Sequence, residues 1–260
     1  MNCKTIMNWM EKQYPVSYAE DWDNVGLLVG RDDKKVSTVF LALDLTEEVL
    51  LQAEKAGADL IVTHHPMIFS PVKKINNQSV TGRRVLTLIR KDISYYAMHT
   101  NYDVMGMADL SAQYLQLKNT EVLSVTDISG EKAEGFGRTG ELPEEMSLKE
   151  CALFVKKQLG LTDVKVYGDL EKRVKHAAVC TGAGKSMIRE ALAAGAEVYV
   201  TGDIDHHTGI DTVAEGMALI DAGHYGTEYI FMEAMKQELT GAFPELTVKT
   251  ANVQVPYTIL

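Results

Sequence analysis

Along the chain, short and nearly continuous apolar runs alternate with longer stretches that carry apolar residues on one face only. Strands covered on both sides read as continuous runs, and helices packed on a sheet show a 3.6-residue period. The alternation therefore predicts an α/β fold. Residues 1–14 predict a helix with Ile6, Met7 and Met10 on one face, halted by Pro15 and followed by a Trp22-Asp23-Asn24 loop. Val36 to Leu43 predicts a buried strand, after which Thr46 caps a helix that closes at Gly57. Residues 60–62 predict the next strand, which delivers His64 and His65 at its C-terminal end, just before Pro66. A helix near 79–90 and a strand over 93–98 then lead into His99-Thr100-Asn101-Tyr102-Asp103.

The polar, Gly-rich stretch 124–140 reads as a connection with one short strand. Ser147 and Glu150 predict a capping box for a helix running to Leu159. Strands near 164–167 and 176–180 follow, then helix, strand, helix and strand, with a mostly extended end over 245–260. At an offset of 138 residues Gly57-Ala58-Asp59 meets Gly195-Ala196-Glu197, Val62-Thr63 meets Val200-Thr201, and Ala53 meets Ala191. Either any two strand–helix–strand units look alike, or the chain holds a duplicated α/β unit whose strand ends face a ligand cleft. The expected division is a first lobe over 1–125, a connection over 126–146 and a second lobe over 147–260, interleaved into one compact unit.

Composition narrows the function classes. Hydrophobic residues at 46% and charged residues at 24% lie at the globular average, which excludes a disordered chain. A formal charge of −10 repels a phosphate backbone, so nucleic-acid binding is disfavoured. Cys3, Cys151 and Cys180 are far apart with no CxxC pair, which suggests neither a disulfide framework nor a thiolate zinc site. The first residues lack the apolar run of a signal peptide, and no stretch has the apolar length of a membrane span, so a cytoplasmic, non-membrane protein is expected.

Metal-binding side chains gather at four predicted strand ends: His64-His65, His99 with Asp103, Asp203 with His206-His207, and His224 with Glu228. Imidazole and carboxylate without thiolate suit Zn, Fe, Mn, Co or Ni and do not choose among them. His224 and Glu228 are four apart at the start of a helix predicted over 226–237, and so share a face. A solvent-facing polar helix start is the competing explanation. His64 and His65, adjacent in an extended run, point to opposite faces and can serve one site only if the chain turns there. Asp103 can bridge cations, orient a water, or make an Asx turn before a loop at Gly106; His99 can ligate a metal or fix a ligand. Asp203, His206 and His207 can be ligands, proton carriers or a substrate-contact loop. Thr181-Gly182-Ala183-Gly184-Lys185-Ser186 is similar to a phosphate-cradling loop, but that motif needs glycine where Val179 stands. A tight strand-to-helix turn is the better reading.

Together, five segments resemble the GTP cyclohydrolase type 2 homologue family, the Nif-three-like dinuclear-metal-centre proteins. They are Asp21-Trp22-Asp23-Asn24-Val25-Gly26-Leu27-Leu28-Val29-Gly30, Thr63-His64-His65-Pro66, His99 to Asp103, Thr201-Gly202-Asp203-Ile204-Asp205-His206-His207, and Gly223-His224-Tyr225-Gly226-Thr227-Glu228. The resemblance implies two divalent cations per chain held by His64, His65, Asp103, His224 and Glu228, with His99, Asn101 and His206 supporting the ligands or touching substrate. It implies two similar α/β lobes with the metals between them, and a toroidal homohexamer with sites facing its cavity. The domain that some members insert between the lobes has no room in 105–146. The implied reaction is hydrolytic opening of the guanine ring of GTP, with Asp203 or His207 as proton carrier. More broadly it is a metal-dependent hydrolysis of a nucleotide or phosphoester. The alternative is a metal-binding, delivery or regulatory protein that uses the same ligands without turnover.

Overall fold

The computed structural model describes residues 1–129, 132–252 and 255–259. The chain forms two compact units, Met1–Tyr102 with Phe231–Leu260, and Asp103–Ile230. The first opens with α1 (Cys3–Gln13), capped by Asn2 and burying Cys3, Ile6, Met7 and Met10. Its sheet contains β1 (Gly26–Val29), β2 (Thr38–Ala42), β3 (Leu60–Thr63), β4 (Ser94–Ala97) and β11 (Thr247–Thr250) in the order β1-β4-β3-β2-β11. The strands β2, β3 and β4 are parallel and β1 runs antiparallel along β4. Helices α2 (Glu47–Ala56) and α3 (Val80–Arg90) make the crossovers. Thr46 Oγ1 accepts the Val49 N–H at 3.1 Å and Gly57 closes α2 at φ +70°, as the sequence predicts. Leu60, Ile61 and Val62 in the central strand are wholly buried, each contributing about 1.5–3 kcal/mol relative to exposure.

The second unit carries β5 (Lys118–Ser129), β6 (Lys132–Ser147), β7 (Lys165–Tyr167), β8 (Arg173–Val179), β9 (Val198–Thr201) and β10 (Ala218–Asp221), in the order β5-β6-β8-β9-β10-β7. Helix α6 (Leu148–Gln158) starts at the Ser147–Glu150 capping box, and α7 (Ile188–Ala193) and α8 (His206–Ala214) make the crossovers. The chain then passes through α9 (His224–Glu228) into α10 (Ile230–Ala242). The two sheets are copies of one plan. Each contains three consecutive parallel strands, β2-β3-β4 and β8-β9-β10, with an antiparallel strand, β1 or β7, that precedes them in sequence and lies beside the last; β11 adds a fourth parallel strand to the first sheet and β5–β6 an antiparallel pair to the second. Val39 pairs with Leu60 in the first sheet and Ala177 pairs with Val198 in the second, the same register 138 residues on.

Three segments differ from the sequence reading. Residues 124–129 and 132–140 belong to two long antiparallel strands, β5 and β6, rather than to a connection with one short strand; residues 130 and 131 lie outside the described residues. Their glycines are there for close strand approach: a Cβ on Gly140 would lie 2.7 Å from the Lys118 carbonyl oxygen. The segment around Gly106 is helical: after the short α4 (Thr100–Tyr102), a π-helical turn over Asp103–Met107 leads into α5 (Ala108–Tyr114), where a loop was expected. The segment 231–260, grouped in sequence with the second lobe, belongs to the first unit because β11 pairs in parallel with β2. Of the extended end predicted over 245–260, residues 253, 254 and 260 lie outside the described residues. No helix among the described residues is long and apolar enough to cross a membrane.

Candidate metal centre

In the first unit the candidate donors leave the carboxyl ends of three adjacent parallel strands, the edge where open α/β sheets bind ligands. β3 ends at Thr63 and delivers His64 and His65; His99 follows β4, and Asp44 follows β2. The backbone bends directly after β3, so the two neighbouring imidazoles do not point to opposite faces. Their ring centroids are 5.0 Å apart, and His99 lies 5.3 and 5.5 Å from them. One ring nitrogen from each of His64, His65 and His99 falls within a 4.8 Å group.

Each of these imidazoles is held from behind. His64 Nδ1 lies 2.8 Å from the Met98 carbonyl oxygen, His65 Nδ1 2.9 Å from Asp44 Oδ1, and His99 Nδ1 2.9 Å from Asp23 Oδ1. A carbonyl or carboxylate oxygen only accepts, so Nδ1 carries the proton in all three rings and the neutral imidazole presents its lone pair at Nε2. Backing of this kind fixes the tautomer and raises the basicity of metal-ligating histidines, and the set therefore fits a divalent transition-metal ion. Asp23 is itself anchored: Thr100 donates to Oδ2 from its N–H and hydroxyl, and the Asn24 N–H donates to Oδ1. Burial alone raises its carboxyl pKa, but the hydrogen bonds from His99 and Thr100 outweigh that and hold it well below the usual range. Asn101, also buried, accepts the His99 N–H and donates to the Tyr14 carbonyl, and so braces the backbone under His99.

In the second unit His224 and Glu228 share the face of α9, with Nε2 3.1 Å from Glu228 Oε2, and His224 Nδ1 lies 2.8 Å from Asp203 Oδ2. Burial opposes charge on this imidazole, yet the two carboxylates prevail and raise its pKa to about 9. Asp203 adopts φ +58°, a left-handed conformation that aspartate tolerates better than most residues. The turn after β8 explains the glycines that resembled a phosphate loop. At Gly182, φ is +65° and a Cβ would overlap Glu228 Oε1 and approach His224 Nε2; at Gly202, a Cβ would lie 2.6 Å from the His224 nitrogen. Asp103 starts the π-helical turn, and its charge, with that of Glu228, reaches the buried Cys180 thiol; burial, the largest influence, and these charges push that thiol up to about 12. His206 and His207 stand against each other on the exposed start of α8, with no hydrogen bond to Asp203, His224 or Glu228 among the described residues. Lys185 of the glycine turn pairs with Asp205, the N-cap of α8, at 2.6 Å.

Sequence reasoning gave no role to Asp23 or Asp44, although both stand in legible places: Asp23 within the Trp-Asp-Asn loop, Asp44 one residue past a predicted strand.

Comparison with known proteins agrees with this architecture. A family model described as Duf34/NIF3 (NGG1p interacting factor 3) matches residues 1–256. A Clostridium perfringens protein named GTP cyclohydrolase 1 type 2 homolog is 35% identical over 231 residues, covering 88% of this chain and 87% of its own length. A Streptococcus pneumoniae protein of the same name is 35% identical over 239 residues, with 90% and 88% covered. Among solved structures, a Staphylococcus aureus protein superposes with a TM-score of 0.92 at 30% identity, over 100% of this chain and 99% of that one. A Bacillus cereus protein related to NIF3 gives 0.91 at 26% identity, with the same coverage.

Proposed function

The chain belongs to the Duf34/NIF3 family, and from that premise we propose that it is a metal-dependent hydrolase of a nucleotide or phosphoester, with two divalent cations held by His64, His65, Asp103, His224 and Glu228. The observation that carries this reading is the set of three imidazoles in the first unit, each with Nδ1 bonded to a backing oxygen. Bound there, such cations would supply a water acidic enough to act as nucleophile at neutral pH, and positive charge for the attacked or leaving oxygen. The chain's own residues do the rest. Asp44 and Asp23 hold His65 and His99 in one tautomer, and Asn101 braces the backbone at His99. Asp203 is the better placed of the two candidate proton carriers, because Oδ2 touches the His224 imidazole whereas His207 stands on the exposed start of α8. A ring-shaped homohexamer, implied by the resemblance, belongs to the same proposal.

The experiment joins elemental analysis with turnover. Two ions per chain, consumption of a substrate from a panel of GTP, other nucleotides and a generic phosphodiester, and loss of that turnover in Asp103→Ala with normal unfolding would support the reading. Two ions with no substrate consumed would favour a metal-binding or delivery role, and fewer than one ion per chain would refute both. Light scattering tests the hexamer separately.

A further inference from the structure

We propose that Trp22 and Phe69 form a stacking site for the planar heteroaromatic ring of the substrate, a nucleobase or a ring of that size, beside the His64–His65–His99 cluster. The proposal rests on the hydrolase reading for the neighbouring chemistry and deepens it by choosing between the two substrate kinds left open, a phosphoester that carries such a ring and one that does not.

Single exposed apolar side chains are ordinary and need no explanation. Here two aromatic side chains, from loops more than 40 positions apart in sequence, meet one imidazole. Trp22 is 62% exposed and lies 5.9 Å from the His99 ring at 74°; Phe69 is 52% exposed and lies 5.8 Å from the same ring at 86°. Both stand nearly perpendicular to the imidazole, so neither covers it with a flat stack.

Their loops are also pinned, which an idle surface ring would not require. Asp23, next to Trp22, is fixed by His99 and Thr100. Asn24 Nδ2 donates to the Ile68 carbonyl at 2.6 Å, tying the Trp22 loop to the residue preceding Phe69. The Met67 N–H donates to Tyr95 Oη at 2.8 Å, and the same hydroxyl bonds the His65 carbonyl, so the Phe69 loop is referenced to the backbone of a candidate ligand. A site whose rings are ordered in advance loses less entropy on binding. Stacking on aromatic side chains accepts any base, because every base has a π-face, so the pair selects for a ring rather than for one nucleobase.

The chain has only two tryptophans, Trp9 and Trp22, so Trp9→Phe leaves Trp22 as the sole indole reporter. Metal-loaded protein in that background is titrated with GMP, AMP and ribose 5-phosphate. The expected result is saturable quenching of Trp22 emission by both nucleotides and none by the sugar phosphate. Equilibrium dialysis should then show GMP binding weakened roughly tenfold by Trp22→Ala and by Phe69→Ala, and largely retained in Trp22→Phe. The metal-to-chain ratio stays unchanged in all three variants, which guards against misfolding. Equal responses to GMP and ribose 5-phosphate, or unchanged GMP binding in both alanine variants, would overturn the proposal. So would a drop in assembly mass on losing either ring with nucleotide binding intact, since that assigns the pair to contact with a second copy. Failure of the hydrolase reading looks different: nucleotides bind and quench, yet none is consumed.

Discussion

Replacing Asp44 by alanine tests what the backing carboxylates do, because it removes the hydrogen bond behind a candidate ligand. The Asp44 side chain is 52% exposed and its Oδ1 lies 2.9 Å from His65 Nδ1. A half-exposed pair of this kind is worth at most about 1 kcal/mol to folding, so unfolding of the metal-free protein should shift by no more than that. The effect on metal binding is larger for three separate reasons. Without that acceptor the imidazole is held less tightly, and fixing it again costs about 0.5–1.5 kcal/mol. It is also free to place its proton on Nε2, which removes the lone pair the metal needs. Finally, it loses the carboxylate that raises its basicity. Together these predict a 10- to 100-fold loss of affinity, or roughly 1.4–2.7 kcal/mol. Competition between apo protein and a chelating dye for Zn2+ or Mn2+ measures it, with urea unfolding in excess chelator as the stability control. Asp44→Asn, which keeps an oxygen able to accept from Nδ1, should fall between wild type and alanine. Wild-type affinity in Asp44→Ala, within about threefold, would show that His65 is not a ligand or is not oriented from behind, and the reasoning would fail.

Other predictions test the scaffold. Gly182→Ala places a side chain at φ +65° and against Glu228, and should cost about 1–3 kcal/mol in urea unfolding together with weaker metal binding; an unchanged midpoint would contradict the tight turn. The Glu197 carboxylate accepts the Lys175 and His176 N–H groups; burial raises its pKa, but these bonds prevail and hold it below the usual range. Its stabilising contribution is therefore present above the unfolded-state pKa near 4.3 and is lost as pH falls from about 5 through the lower folded value. Glu197→Gln should show a smaller loss of stability between pH 6 and 3 than wild type, read from unfolding midpoints, and identical slopes would remove that role. All three cysteines are buried, and burial pushes the Cys151 thiol up to about 12. Since the thiolate is the reactive form, a disulfide reagent at pH 8 should titrate no thiol rapidly in the native protein and three after denaturation.

Local chemistry made much of the scaffold readable. The Thr46 and Ser147 caps, the αL Gly57 and the continuous apolar run of β2 each specify their element through nearby residues alone, and each stands where the pattern puts it. The misread parts depend on partners remote in sequence. The β5–β6 strand pair looks like linker because its glycines admit neighbouring backbone, as Gly135 does beside Ser124 and Gly140 beside Lys118. β11 carries no mark that it will pair with β2, some 200 residues earlier. In the candidate centre the histidines could be read because imidazole at a strand end is chemically unusual. Asp23 and Asp44 could not, because an aspartate in a loop or after a strand is common, and only the distance to an imidazole distinguishes a brace from a turn residue.

The duplicated plan explains why the two units offer unlike donors. Carrying the register of β3 onto β9 sets His64 and His65 opposite Gly202 and Asp203. A side chain at 202 would lie 2.6 Å from the His224 nitrogen, so the second copy gives up one donor position to bring the start of α9 close to the end of β9. Its remaining donors are correspondingly anionic: Asp203 and Glu228 flank a single imidazole, whereas the first copy presents three imidazoles backed by oxygen. Anionic oxygen ligands lower the net charge of a bound divalent ion, and neutral nitrogen ligands leave it intact and so sharpen its acidity toward water. The same strand edge thus carries an imidazole set in the first unit and a carboxylate-rich set in the second. The difference follows from the steric demand at residue 202 as much as from the choice of donor at any single position.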